Sequence, residues 1–314
     1  MTINLNNKQN LDKIRNGEKV ILSNSMVKAF KTCERQFVYN YVLSKEKDSD
    51  YISPKYFAFG NAFHKVLEDT LHDSNKFTVE LLNSVSDEFG LDPVYEKAKL
   101  VQCLKLYYQE HNKSGLKILD VEVYFKSQNA GTIDAIAIDS NGWWIIDLKT
   151  AASLSNMRPE LLNVDTQVGL YASHAPEVQA LLEEKHGIQL GEFLGIKLRE
   201  VTKAKERKKK EVENFDQFYN RLKPIEFREL TLEKQYIECE ETRHYMEVES
   251  ERVNDTIKKF IEGGENIKNV IRNTNSCSNP LTKEFCPFFS TCHGKSASEI
   301  LHGKIEDLTD LLDF

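Results

Sequence analysis

No uninterrupted apolar stretch in the 314 residues approaches the roughly 20 residues that cross a bilayer. The opening MTINLNNKQNLDKIRNGEK lacks an apolar h-region and is not an Arg-rich transit peptide. The cytoplasm is therefore the expected location, with no membrane partner. There is no internal repeat, P-loop or helicase motif, which excludes a solenoid and a nucleotide-driven motor. Basic charge is not in excess either. A net charge of −7 argues against a general nucleic-acid coat, though not against an enzyme whose basic residues are gathered locally. Cysteine is sparse at six, and in an intracellular chain these are thiols or metal ligands rather than disulfides. What remains is an ordinary globular composition, 40% apolar and 29% charged, long enough to bury a substantial core.

The most informative stretch is Gly131 to Thr150, GTIDAIAIDSNGWWIIDLKT. Two apolar runs, Ile133 to Ile138 and Trp143 to Leu148, are separated by Asp139-Ser140-Asn141-Gly142. Asn-Gly between β-rich runs is a hairpin signal, so two antiparallel strands are expected. Asp134 lies in the first strand, and Asp147 and Lys149 lie near the end of the second. Period-two alternation puts Asp147 and Lys149 on one face. Charges on a small patch of sheet need partners. A strand-end salt bridge is one solution. The other is a divalent cation between Asp134 and Asp147, with Lys149 facing a metal-bound water or a phosphoryl group.

G-x-x-D, a hairpin and then hydrophobic-hydrophobic-D-x-K-T resembles the core of the PD-(D/E)XK nuclease superfamily in its RecB-like branch. The resemblance makes Asp134 and Asp147 metal ligands, adds the backbone carbonyl of Leu148, and gives Lys149 a catalytic role. It implies an α/β fold: a central mixed sheet flanked by helices, a restriction-endonuclease-like core. Helices are expected over Phe57 to Leu71, over 75–114, and over Val164 to Ser173. Strands are expected at Ile118 to Phe125 and Glu192 to Val201. Gly60-x-x-x-His64 matches the family's first motif. His64 then becomes a third metal ligand through a neutral imidazole nitrogen, and Gly60 a point of close helix–sheet approach. Glu122 occupies an acidic position often seen in the family, either near the metal or facing solvent. Gln167 and Tyr171, four apart on one helix face, match Q-x-x-x-Y; the resemblance has them contact nucleic acid or position Lys149.

Near the start, Ser25 is the expected N-cap of a helix running through Met26, Phe30, Phe37 and Tyr41, with Cys33 inside it. Near the end, Cys277, Cys286 and Cys292 lie in SCSNPLTKEFCPFFSTCHG. C-P-F-F-S-T-C is similar to the cluster-binding end of iron–sulfur RecB-like nucleases, which take their fourth cysteine from the N-terminal helix. By that resemblance Cys33, Cys277, Cys286 and Cys292 hold a [4Fe–4S] cluster in a helical cap that joins the N- and C-terminal parts. Zinc suits four cysteines as well, and His293 could replace one of them. The spacing here departs from the family: eight residues separate Cys277 from Cys286, where two are common.

Lys203, Lys205, Arg207, Lys208, Lys209 and Lys210 form the one dense basic run, a solvated loop or an arm for DNA phosphates. Leu230 to Ile271 has helical spacing and is expected to be one long helix. The expected organisation is an extension at 1–20, a nuclease domain at 21–295 and an acidic tail at 296–314. Ile305 to Phe314 either packs back on the domain or docks into a replication or recombination protein. The implied activity is Mg²⁺- or Mn²⁺-dependent DNA hydrolysis, chiefly exonucleolytic on single-stranded ends, in recombination, repair or phage DNA metabolism. A nuclease-fold module that holds DNA ends for a helicase or recombinase is the alternative.

Overall fold

The computed structural model describes residues 15–16, 20–43, 45, 47, 55–72, 76–151, 154, 165–202, 213–222, 225–273, 278–279, 284–288 and 291–292. The extension before residue 15, the basic run 203–210, Cys277, His293 and the tail 296–314 lie outside the described residues. Two compact units are present, one formed by 54–244 and the other by 1–53 with 245–314.

The 54–244 unit is built on strands β2 (Lys117–Lys126), β3 (Asn129–Ile138), β4 (Gly142–Ala151), β5 (Glu192–Thr202) and β6 (Phe227–Glu233). They follow one another across a mixed sheet: β2–β3, β3–β4 and β5–β6 are antiparallel, and β4–β5 is parallel. The parallel step is crossed by α6 (Thr166–Ser173) and α7 (Ala175–His186). Earlier in the chain come α3 (Lys55–Thr70), α4 (Val79–Glu88) and α5 (Tyr95–Ser114). Phe63 and Leu67 of α3 and Leu100, Leu104 and Tyr107 of α5 pack with Ala135, Ile146, Leu148 and Val201 of the sheet in one buried cluster. Each such side chain contributes about 1.5–3 kcal/mol on full burial. The result is an α/β fold with a mixed sheet flanked by helices, as expected.

The expected hairpin is present, but the turn works differently from an Asn-Gly type I′ turn. Asp139 closes it: its Oδ1 accepts from the N–H groups of Asn141 (2.7 Å) and Gly142 (3.2 Å), and its own N–H donates to the Gly142 carbonyl (3.0 Å). Neither Asn141 nor Gly142 has positive φ. Glycine is required at 142 because a Cβ there would overlap the Glu192 carbonyl oxygen. At Gly60, by contrast, a Cβ would meet Thr150 Oγ1 at 3.5 Å, ordinary contact, so no tight helix–sheet approach depends on that glycine.

The long helix expected over Leu230 to Ile271 is divided. Leu230 belongs to β6, and the helix, α9, spans Cys239–Glu262. Cross-strand charge pairs fix β6 beside β5: Lys197 Nζ and Arg199 Nε of β5 donate to Glu229 at 2.7 and 2.8 Å, and Arg228 pairs with Glu200. A short α8 (Phe215–Arg221) precedes β6, begun by a capping box of Asn214 and Gln217.

In the other unit, β1 (Leu22–Ser23) leads into α1 (Asn24–Thr32), followed by α2 (Glu34–Phe37). Ser23, not Ser25, is the N-cap, accepting from the Met26 N–H at 3.3 Å. Cys33 is not inside a helix. Its backbone is extended (φ −164°, ψ 114°), and it is the break between α1 and α2. Two-residue strands β7 (Ser278–Asn279) and β8 (Glu284–Phe285) pair near the C-terminal cysteines.

Candidate active site

The β3–β4 ladder runs from Ile138↔Trp143 to Ala135↔Ile146 and stops one residue before the acidic pair. Beyond it the Leu148 N–H donates to Asp134 Oδ2 at 2.7 Å, a carboxylate standing where a strand carbonyl would be. Asp134 and Asp147 are thus brought together where the two strands part. His64 reaches the same point from α3, its Nδ1 3.4 Å from Asp134 Oδ1. Asp147 is buried, and its Oδ1 accepts from Lys149 Nζ (2.9 Å) and Gln167 Nε2 (3.1 Å).

Gln167 and Tyr171 are held as a pair. Asp165 caps α6 by accepting from the Gln167 and Val168 N–H groups, which fixes the helix start. Gln167 Nε2 also donates to the Tyr171 hydroxyl (2.9 Å), which in turn donates to the Thr132 carbonyl of β3 (2.6 Å). One helix face is thereby tied to both acidic strands. The bond from Gln167 goes to Asp147 rather than to Lys149. Gly169, on the same short helix, allows the close approach of Thr242; a Cβ there would overlap its side chain.

One group of three metal-competent side chains is found among the described residues: His64, Glu122 and Asp134, with ligand atoms all within 4.8 Å of one another. Glu122 is the residue whose role the motifs left open. Its cue is two-dimensional: the β2–β3 register, bracketed by Val121↔Ala135 and Val123↔Ile133, sets it opposite Asp134.

The electrostatics are those of a site with too much negative charge. Burial, with the Asp134 charge adding to it, raises Asp147 to about 6 against the opposing pull of Lys149. Burial likewise raises Glu122, and Asp134 adds to it. Burial would also raise Asp134, but the His64 hydrogen bond and charge, Lys149 and the Leu148 N–H hold it below the usual carboxylate value. Burial lowers Lys149 and His64, yet their carboxylate neighbours outweigh it and raise both. Oxygen and imidazole donors packed this closely fit a divalent cation, which would relieve the repulsion.

In the other unit Cys33 is buried, and Cys286 and Cys292 are partly exposed. Arg35 Nη1 donates to Cys292 Sγ at 3.6 Å, while its Nη2 donates to the Val270 carbonyl at 2.9 Å. Tyr39 and Phe288 pack ring to ring at 5.4 Å. Among the described residues no helix is long and apolar enough to cross a membrane.

The acidic pair, where two antiparallel strands part and a lysine stands beside it, could hold a divalent cation next to a fixed positive charge. Residues 21–293 match the family PDDEXK_1, described as the PD-(D/E)XK nuclease superfamily. The chain belongs to that superfamily, whose members are metal-dependent nucleases. No curated protein matches the chain.

Proposed function

We propose that this chain is a Mg²⁺- or Mn²⁺-dependent deoxyribonuclease that degrades DNA from single-stranded ends. The observation that carries the reading is the acidic pair Asp134 and Asp147 at the point where β3 and β4 part, with Lys149 against Asp147. In this reading His64, Asp134, Asp147 and the Leu148 carbonyl hold the cation. When bound, it supplies Lewis-acid charge for phosphodiester hydrolysis.

The chain's own groups do the rest. Lys149, partly exposed and kept charged by Asp147 and Asp134, offers its ammonium to charge developing on the phosphoryl oxygens. Gln167 fixes the Asp147 carboxylate, and Tyr171 fixes Gln167 against β3. A module that only holds DNA ends needs no such set. The presence of His64, Asp134, Asp147 and Lys149 together supports the enzyme instead.

The nuclease region is taken as 21–295, flanked by an extension at 1–20 and a tail at 296–314. Lys203 to Lys210 serve as an arm for phosphates, and 305–314 as a docking peptide for a replication or recombination protein. Cys33, Cys277, Cys286 and Cys292 hold a structural [4Fe–4S] cluster. Support comes from the Arg35–Cys292 bond and the Tyr39–Phe288 contact, which bring the segment after Cys33 against the C-terminal cysteine region.

End-labelled single- and double-stranded DNA incubated with Mg²⁺ or Mn²⁺ tests the activity. Stepwise loss of label from single-stranded ends is expected, and the absence of any metal-dependent cleavage would overturn the reading. Anaerobically purified protein should be brown. Colourless protein with stoichiometric zinc would assign the four cysteines to zinc.

A further inference from the structure

Glu122 lies inside β2 with φ +49°, in the left-handed region. A side chain with a Cβ is strained there, and strain of this kind collects at functional sites. Glu265 is the other described non-glycine residue with positive φ, but it follows Gly264 beyond the end of α9. Left-handed backbone is routine after a helix, and it is not routine in a strand.

Glu122 carries a second cost. It stands opposite Asp134 across an antiparallel pair, where like charges repel. Among the described residues no hydrogen bond to its carboxylate offsets either cost. Both become intelligible if the side chain is held in place for a cation. One of its oxygens lies within 4.8 Å of a His64 nitrogen and an Asp134 oxygen. Asp147 is outside that group and gives its Oδ1 to Lys149 and Gln167.

We propose that Glu122 is a metal-holding residue of this nuclease, completing a His64–Glu122–Asp134 seat for a divalent cation. This rests on the metal-dependent nuclease reading and adds to it a carboxylate from a third strand. Asp147, whose Oδ1 accepts from Lys149 and Gln167, remains the ligand from β4 in that same centre.

The test is Mn²⁺ alone, titrated into metal-free full-length protein and followed by calorimetry and by thermal unfolding. Glu122→Gln keeps the size of the side chain and removes its charge. It should weaken Mn²⁺ binding by about tenfold or more. It should also raise the melting temperature of the metal-free protein, because the repulsion against Asp134 is gone. A merely structural residue would do the reverse, lowering the melting temperature and leaving the affinity alone. Glu122→Asp, which keeps a carboxylate one methylene shorter, should bind Mn²⁺ more tightly than Glu122→Gln. Glu68→Gln, another carboxylate in the vicinity, should bind like wild type.

Wild-type Mn²⁺ affinity in Glu122→Gln overturns the proposal. Asp134→Asn, measured alongside, separates the two levels of the argument. If Asp134→Asn loses Mn²⁺ while Glu122→Gln keeps it, only the role of Glu122 falls. If both keep it, the metal centre itself falls.

Discussion

Two clusters of charge sit within the same sheet unit and behave in opposite ways. On β5 and β6, Arg199 is 1% exposed, with Nε on Glu229, Nη1 on the Tyr107 hydroxyl (3.3 Å) and on His111 Nδ1 (3.0 Å), and Lys197 on Glu229 as well. Despite burial, Glu229 is held below and Arg199 above its ordinary value, so both stay charged. His111 is pushed down to about 4 by burial and by Arg199, and it stays neutral as an acceptor. On β2, β3 and β4, three carboxylates face one lysine and one histidine, and Asp147 and Glu122 are raised. Opposite charges that answer one another hold a fold together. An excess of one sign that the protein does not answer marks a place for something from outside.

The largest effect that would break this contrast is on chemistry. Asp134→Ala or Asp147→Ala should abolish DNA cleavage, a loss beyond about a thousandfold, with the fold intact by circular dichroism. Lys149→Ala should cut turnover by orders of magnitude while Mn²⁺ binding persists, since it contributes charge and not a ligand. Near-wild-type cleavage by Asp147→Ala would remove it from the reaction.

The balanced cluster should answer in stability instead. Arg199→Met leaves Glu229 with Lys197 as its partner and removes the donor to Tyr107 and His111, and should cost about 2 kcal/mol in urea unfolding. Activity per folded molecule should stay near wild type.

A pH series sharpens the comparison further. Asp147 stands at about 6 in the folded chain against an ordinary 3.8, so the metal-free protein gains from its protonation. That contribution is complete below about pH 4 and is lost as the pH rises through about 6. Asp147→Asn should therefore gain on wild type, by up to about 3 kcal/mol, between pH 4 and pH 7 in EDTA. A stability difference that does not change over that interval would show Asp147 to be unstrained.

The smallest effect belongs to a third arrangement, two cations at the surface around the buried Asp120. Lys185 and His186 both reach Asp120 Oδ2, at 2.6 and 3.0 Å. Lys185→Met should cost less than about 1 kcal/mol, because its side chain is over half exposed and His186 remains on Asp120.

Much of the site was legible along the chain because its cues are local. The hairpin, the Asp147–Lys149 alternation and the Gln167–Tyr171 spacing each depend on a few consecutive residues, and each lies where the periodicity puts it. Glu122 was not legible, because its meaning comes from a neighbouring strand and from one unusual φ. The sheet's last strand was hidden for a related reason. Its second half, Leu230 to Glu233, reads as the start of a charged helix until β5 is set beside it, with Leu230 opposite Leu198 and Thr231 opposite Lys197. The helix break at Cys33 carried no proline or glycine to announce it. Helices α7 and α8 lie in segments the motifs did not reach.

The early end of the β3–β4 ladder has a consequence for observation in solution. The Leu148 amide donates to the Asp134 carboxylate and not to a strand carbonyl. Its deuterium uptake and its nitrogen resonance should therefore track the protonation and occupancy of the acidic pair, while amides within the ladder, such as Trp144, stay indifferent. One backbone proton, placed by a missing rung, becomes a built-in reporter on whether the centre is loaded.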